Sequence, residues 1–387
     1  MTRYAIVGGG IIGTTIGLEL ARRKAGHVTI FEKEPSLGMH ASGRNSGVIH
    51  SGINQKPGSL KARMCLEGSR RLRDYCRSHN VPMVECGTLV VARDNMELGV
   101  LERLLQMGKE CGVPQLAMLS QKEFHDKEPA MRGIAALYSP TGATVDSVAL
   151  LNRLAEEARN LGVQFAFSRK VVRIEGHAIF LGGERIEVNH IINCAGLYAD
   201  RIAHSMGVGM EYRVIPFRGE YMQVQGCDVR SMVYQAPDLR FPFLSIHLTR
   251  ETDGRVLAGP SAVLAFGREA YEKEWNWGEM LEMFLSRSFL GLITSRDFLS
   301  VVIKNARTSF SKRAFLKEIQ SLAPDITVEQ LSPFRSGIRA QMVDRQGRML
   351  NDILVDYRDD STHVLNAVSP GMTCSLAFAE HVVDKIL

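Results

Sequence analysis

The sequence is poor in features that would cross-link, anchor or strongly charge a chain. Its 387 residues include seven cysteines: Cys65, Cys76, Cys86, Cys111, Cys194, Cys227 and Cys374. The number is odd, the spacing is irregular and no CxxC occurs. This excludes a disulfide framework and a structural zinc site, and leaves reduced thiols, no bound metal and a cytoplasmic setting as the expectation. No apolar run approaches the roughly 20 residues needed to span a bilayer. The uncharged stretch 4–18 contains Gly8, Gly9, Gly10, Gly13 and Gly17 and runs straight into Glu19. With no small-residue cleavage site, it reads as strand, loop and helix rather than an export signal. Charge of one sign is lacking too: 47 Lys and Arg against 42 Asp and Glu give +5. That excess is too mild for a nucleic-acid binder, but suits an anionic small substrate or weak attraction to an anionic membrane. GxSxG, HExxH, GxxxxGK[ST] and YxxxK are all missing, which argues against serine hydrolases, zincins, P-loop NTPases and short-chain dehydrogenases.

What is present is an ordinary globular composition, 45% apolar and 23% charged, so general disorder is excluded. The length suggests two to three domains or one large two-lobed unit. Residues 4–7 and 28–31 read as strands flanking a helix over 12–23, a βαβ beginning. Residues 33–61 form a long irregular Gly/Ser/His/Asn segment, of the kind that is usually functional. Helices are expected over 60–79, 96–111, 148–161 and 373–386, and strands over 83–92, 163–167, 171–175, 178–181, 184–188 and 190–194. Residues 216–224, 243–249 and 255–259 suggest an antiparallel lobe, and 275–322 is largely helical. Strands are also expected over 353–357 and 363–367. The fold class is α/β, with a Rossmann-like dinucleotide-binding domain interleaved with an antiparallel-sheet substrate domain. The expected division is 1–80, 145–215 and 335–387 for the first, and 81–144 and 216–334 for the second.

Gly8-Gly9-Gly10-Ile11-Ile12-Gly13 fits GxGxxG between the first strand and the helix. Gly8 permits the tight turn, Gly10 lets backbone approach a pyrophosphate, and Gly13 lets helix and strand pack closely. The pyrophosphate sits on the helix N-terminus, against Ile11 and Ile12. Glu32, at the end of the second strand, is placed to accept from an adenosine ribose, which fits NAD or FAD and argues against a 2′-phosphate. FAD is favoured by the motif's leading position, by the long loop after the second strand, and by Asn193-Cys194-Ala195-Gly196, a strand ending in small residues.

Further stretches carry a family resemblance that runs almost end to end. Ser42-Gly43-Arg44-Asn45-Ser46-Gly47-Val48-Ile49-His50-Ser51-Gly52, Pro57-Gly58-Ser59-Leu60-Lys61-Ala62 and Pro216-Phe217-Arg218-Gly219-Glu220-Tyr221 are three of them. Residues 241–250, Gly259-Pro260, 262–266 and Gly337-Ile338-Arg339-Ala340-Gln341 continue it. Together they resemble the D-amino-acid-oxidase-like FAD oxidoreductases and, within them, the L-2-hydroxyglutarate oxidases and dehydrogenases. Arg44, Ser245, Val368, Gly371 and Met372 depart from the family pattern. The resemblance implies FAD held non-covalently, with Lys33, Ser42, Gly43, Asn45, Ser46, Gly47, Val172, Gly337, Pro370, Gly371, Met372 and Thr373 joining the glycine motif and Cys194, Ala195 and Gly196 around it. His40, in His40-Ala41-Ser42-Gly43, resembles the setting in which some relatives bind flavin covalently.

The implied reaction moves Cα–H of a 2-hydroxy acid to flavin as hydride while a base takes the hydroxyl proton, giving a 2-oxo acid. Arginine suits a carboxylate because its planar fork donates two parallel bonds. Arg339 is the first choice and Arg218 the second, with pairing to Glu220 the competing role for Arg218. A base working near neutral pH suggests histidine. The choice stays open between His50, after the loop, and His247, inside an apolar strand. Lys61, Tyr221 and Gln341 are further substrate-side candidates. The electron acceptor is oxygen, or a quinone or electron carrier. Residues 280–293, followed by Arg296, Lys304, Arg307, Lys312, Arg313 and Lys317, would suit peripheral contact with the inner face of a membrane. An amine or amino-acid oxidase acting on glycine, sarcosine or a D-amino acid is the alternative. A tRNA-modifying flavoprotein and a non-catalytic flavin module are the remaining ones.

Overall fold

The computed structural model describes residues 1–237, 246–295, 298 and 307–387. Its first strand, Arg3–Val7, lies parallel to His27–Phe31, with Ala5 opposite Thr29 and Val7 opposite Phe31. The helix Ile11–Arg22 connects them. The turn between is closed to side chains: Gly8 has φ +106°, and a Cβ there would stand 2.5 Å from the Cys194 carbonyl oxygen. A Cβ on Gly13 would fall 2.0 Å from the Gly8 carbonyl oxygen, so helix and turn touch backbone to backbone.

These strands sit in a six-stranded sheet, ordered Leu354–Tyr357, Ser361–Asn366, His190–Asn193, Arg3–Val7, His27–Phe31, Gln164–Ala166. All neighbours are parallel except the pair at the Leu354–Tyr357 edge. Because side chains alternate along a strand, the first strand feeds two cores. Tyr4 and Ile6 join Ile16, Leu72, Leu150, Phe378 and Val382 from four helices on one face. Ala5 and Val7 meet Ile174, Ile179 and Ile191 on the other. Ile174 and Ile179 belong to a three-stranded antiparallel flap, Arg173–Glu175, Ala178–Leu181 and Glu184–Glu187.

The second lobe is a nine-stranded sheet. Its pairings are antiparallel apart from Met232–Gln235 against Thr88–Ala92. Its longest ladder pairs Tyr212–Val224 with Leu331–Asp344, placing Phe217 opposite Arg339. The lobes join through Asp200, fully buried, which binds Arg268 at 2.6 Å and accepts the Val214 N–H at 3.0 Å. Val214, Ile338 and Leu365 add a shared apolar cluster at the seam.

The mixed, interleaved α/β architecture is the expected one. Some details differ. The strand expected over 83–92 is two, Met83–Val84 and Thr88–Ala92, because Gly87 takes φ +74° between them. The irregular 33–61 segment contains the two-residue strand Val48–Ile49. The helical reading of 275–322 appears as Trp277–Phe284, Arg287–Ile293 and Lys312–Gln320, with 296–297 and 299–306 outside the described residues. The strand expected over 243–249 is seen as His247–Arg250; residues 243–245 also lie outside. The long ladder was anticipated only in part, and the boundaries at 215/216 and 334/335 fall inside its two strands. Among the described residues no helix is long and apolar enough to cross a membrane.

Candidate active site

A cavity of about 570 Å³ is lined by both lobes. Its outer end is the glycine turn. Gly8, Gly10, Ile11 and Ile12 line it at the N-terminus of the helix Ile11–Arg22. Ser42 Oγ accepts the Ile11 N–H at 2.9 Å, pinning the following loop against that helix. Glu32 is fixed by two backbone donors, Gly9 N–H at 2.8 Å and Glu34 N–H at 2.9 Å. Asn45 holds the loop in shape: it donates to the Ser42 carbonyl at 2.8 Å and accepts the Gly47 N–H at 2.8 Å. Lys33, Ser46, Val172, Cys194, Ala195 and Gly196 continue the wall. Burial holds the Cys194 thiol well above its ordinary range, so it is an inert wall residue.

Gly13, Gly43 and Gly47 do not line the cavity. They act one step back: a Cβ on Gly43 would fall 2.1 Å from the Gly38 carbonyl oxygen, and Gly47 turns the chain at φ +64°. A second helix N-terminus faces the cavity, where Pro370, Gly371, Met372 and Thr373 open the helix Gly371–Ile386. Two positive helix ends, a turn that admits no side chain and a fixed acid at the strand end suit a dinucleotide carrying a pyrophosphate. The residues present therefore fit FAD.

The inner end collects His50, Tyr221, His247 and Arg339, with Gly337, Ile338 and Pro260 between them. Four segments far apart in sequence deliver these side chains. His50 follows Val48–Ile49, and its N–H donates to Thr373 Oγ1 at 3.0 Å. Burial, and then the Lys61 ammonium behind it, push the His50 imidazole down to about 4, so near neutral pH it is an uncharged proton acceptor. The His247 ring stacks on Tyr234 at 4.1 Å between centroids and 21° between planes. Burial pushes the Tyr221 phenol up, against the lowering influence of Arg339 and a hydrogen bond with Ser46. Burial also lowers Arg339, opposed by Tyr221, yet a guanidinium keeps its charge in such a site. Among the described lining residues the acids are Glu32 and Glu34, both at the outer end. The inner end is thus basic and ready for an anion.

Three expected substrate contacts are not on the wall. Arg218 binds Glu220 at 3.1 Å and donates to the Ala270 carbonyl at 3.1 Å. It lies three residues from Tyr221, hence on the opposite face of the strand. Gln341 is spent on the Met342 and Leu350 carbonyls, at 3.0 and 2.9 Å. Lys61 stands behind His50, its ammonium lowered by burial against the raising influence of Cys374, Asp352 and Cys65. Other wall residues were not anticipated from sequence: Glu34, Lys170, Tyr198, Arg201 and Leu365. Tyr198 follows the small-residue strand end directly, which was the available signal. His40 has both nitrogens engaged, Nδ1 with the Tyr271 hydroxyl at 2.6 Å and Nε2 with Glu34 at 2.8 Å.

The FAD dependent oxidoreductase family model matches residues 3–385. L-2-hydroxyglutarate dehydrogenase of Indibacter alkaliphilus is 37% identical over 392 residues, covering 99% of this chain and 98% of that protein. The mitochondrial L-2-hydroxyglutarate dehydrogenase of Homo sapiens is 33% identical over 407 residues, covering 98% of this chain and 88% of the relative. Among solved structures, dithionite-reduced L-alpha-glycerophosphate oxidase from Mycoplasma pneumoniae with FAD bound has a TM-score of 0.80 at 24% identity, covering 100% of this chain and 95% of the other. Glycine oxidase from Geobacillus kaustophilus has a TM-score of 0.76 at 20% identity, covering 100% and 95%. At those identities the structural likeness shows the fold.

Proposed function

Because the chain belongs to the FAD-dependent oxidoreductase family, we propose that it oxidises L-2-hydroxyglutarate to 2-oxoglutarate. The observation that carries this reading is the inner end of the cavity, where a guanidinium and two imidazoles meet, while the acids among the described lining residues, Glu32 and Glu34, stand at the other end. The relatives named L-2-hydroxyglutarate dehydrogenase, similar over nearly the whole chain, supply the substrate. Bound FAD would supply the acceptor for the Cα hydrogen, which leaves with the electron pair of its bond. Arg339 holds the C1 carboxylate through its fork. His50, neutral at working pH, takes the hydroxyl proton at an imidazole nitrogen. Tyr221 closes the wall beside Arg339 and orients the acid. Glycine oxidase shares the fold at 20% identity, which leaves the amine-oxidase alternative resting on fold alone.

FAD is held non-covalently in this reading, supported by the engagement of both His40 nitrogens within the protein. Residues 1–80, 145–215 and 335–387 make up most of its lobe and 81–144 and 216–334 most of the substrate lobe, with 212–215 and 335–344 carried by the long ladder of the second sheet. The acceptor is oxygen, or a quinone reached at a peripheral membrane contact. An exposed apolar face supports that contact. Trp275 and Trp277 pair at 5.4 Å, Leu281 and Leu285 project beside them, and Arg287 lies exposed on the next helix.

Anaerobic absorbance titration tests the central reading. L-2-hydroxyglutarate should bleach the oxidised flavin, while the D-isomer and glycine should not. Bleaching by glycine or another amine, with none by the L-hydroxy acid, would transfer the chain to the amine oxidases. Flotation with anionic liposomes at low salt tests the membrane contact, and protein left at the bottom of the gradient rejects it.

A further inference from the structure

A five-carbon 2-hydroxy diacid brings two carboxylates, and one guanidinium holds only one of them. We propose that the second carboxylate is received by His247 as an imidazolium carried on the face of Tyr234. This rests on the proposed substrate and names what recognises its far end.

The geometry is specific. His247 begins the strand His247–Arg250 and lines the inner cavity. Its ring lies nearly parallel to that of Tyr234, 4.1 Å away. An aromatic face at that distance stabilises a cation through the ring quadrupole. Tyr234 is 6% exposed, and its hydroxyl has no hydrogen-bond partner among the described residues. Burial, followed by Tyr221 and Cys86, keeps this phenol protonated, so the ring offers its face and no competing negative charge. His50 differs in what lies against it. Burial and then the Lys61 ammonium disfavour its cation. His247 is buried too and shares its end of the cavity with Arg339, but it alone of the two has an aromatic face stacked on it, so the work divides into one neutral acceptor and one anion receiver.

The groups around His247 set the pH dependence. Tyr234 stacks on it from Met232–Gln235, and Gly259, uncharged, pairs with it from Val256–Gly259. Tyr221, Arg339 and His50 line the same end of the cavity, and Arg250 ends its own strand. Arg339 disfavours an imidazolium while no anion is present. A dianion reaching both groups reverses that, so binding draws a proton onto His247. Affinity for the diacid is then lost as pH rises through the bound-state value of this imidazole, whereas affinity for a monocarboxylate is not.

The test uses the FAD-loaded enzyme and glutarate, a diacid with no hydroxyl to oxidise, with butyrate as the single-carboxylate control. Calorimetry at pH 7.5, in buffers of different ionisation enthalpy, should show proton uptake with glutarate and none with butyrate. His247→Gln should weaken glutarate about tenfold to hundredfold, abolish the uptake and shift butyrate less than about twofold. Tyr234→Leu should move the pH at which glutarate affinity breaks to lower values, and Tyr234→Phe, which keeps the ring, should hold it in place. Equal losses for glutarate and butyrate in His247→Gln, or proton uptake that survives the substitution, overturns the proposal. Failure of L-2-hydroxyglutarate to bleach the wild-type flavin would instead sink the substrate reading, with glutarate-linked proton uptake still deciding the role of His247.

Discussion

The two ends of the cavity are built by different rules. The outer end has a local nucleus: Gly8 to Gly13 and Glu32 lie within one βαβ unit and Ser42 to Gly47 lie on the loop that follows, while Cys194 to Gly196 and Pro370 to Thr373 add backbone from farther along the chain. Its hydrogen bonds run mostly to backbone, so its specificity is one of shape. The inner end is assembled by register. His50, Tyr221, His247 and Arg339 come from four segments, and a one-residue slip in the ladder that sets Phe217 opposite Arg339 would turn that guanidinium away. Shape built from backbone tolerates almost no added atom. Chemistry built from side chains tolerates substitution without loss of the fold.

That contrast can be pushed hardest at Gly13. Gly13→Val places carbon atoms where the Gly8 carbonyl already stands, 2.0 Å from the nearest Cβ position. The protein should purify colourless, and unfold about 3 kcal/mol more easily, as read by absorbance near 450 nm and by urea melts. At the inner end, His50→Asn should keep its yellow colour and lower the rate of anaerobic flavin reduction by about 10²- to 10⁴-fold. A bound flavin reduced at the wild-type rate would remove His50 from the chemistry. Arg339→Lys keeps the charge but loses the fork, and should cost about a hundredfold in kcat/KM with the flavin retained.

A smaller effect, at the inner end and in the six-stranded sheet, concerns acid. His50 at the inner end and His363 in the six-stranded sheet are each held down to about 4 from 6.5, by burial first. Their folded values lie below the unfolded one, so the unfolded chain binds more protons and stability falls as pH drops from 6.5 towards 4. Melting temperature followed across that window should decline, and His363→Asn should flatten part of the decline. The smallest expected effect is on catalysis by Arg218→Met. Because Arg218 serves Glu220 and the Ala270 carbonyl, KM should change less than about twofold, while stability falls by about 1–3 kcal/mol. A large rise in KM would return Arg218 to the substrate.

How much the sequence disclosed follows the same division. The glycine turn and Glu32 were legible because their spacing is their geometry. Gly43 and Gly47 were legible as part of a loop, but not as residues one step behind the wall, since that depends on how the loop folds back on itself. Arg218 stood second to Arg339, with pairing to Glu220 as its competing role, and that pairing is the one formed; Gln341 stood beside Tyr221 as a substrate-side candidate. Strand alternation turned Arg218 away, and the reach of the ladder carried Gln341 past the end of the cavity. Tyr234 carried no local signal at all. It acquires a role only when the pairing of Val233 with Leu248 brings its strand against that of His247.

The six-stranded sheet also has a history written into its strand order. Ser361–Asn366 is an interior strand, hydrogen-bonded to His190–Asn193, which in turn flanks the very first strand. A ribosome therefore releases the glycine turn some 350 residues before the strand that completes its sheet. The helix Gly371–Ile386, which adds Phe378 and Val382 to the same core, emerges later still. Such long-range closure is slow, and the nascent chain must wait with its apolar sheet face uncovered. Cofactor capture therefore waits on residues 361–386, and a chain cut short before residue 361 should own the full dinucleotide fingerprint yet purify without the dinucleotide.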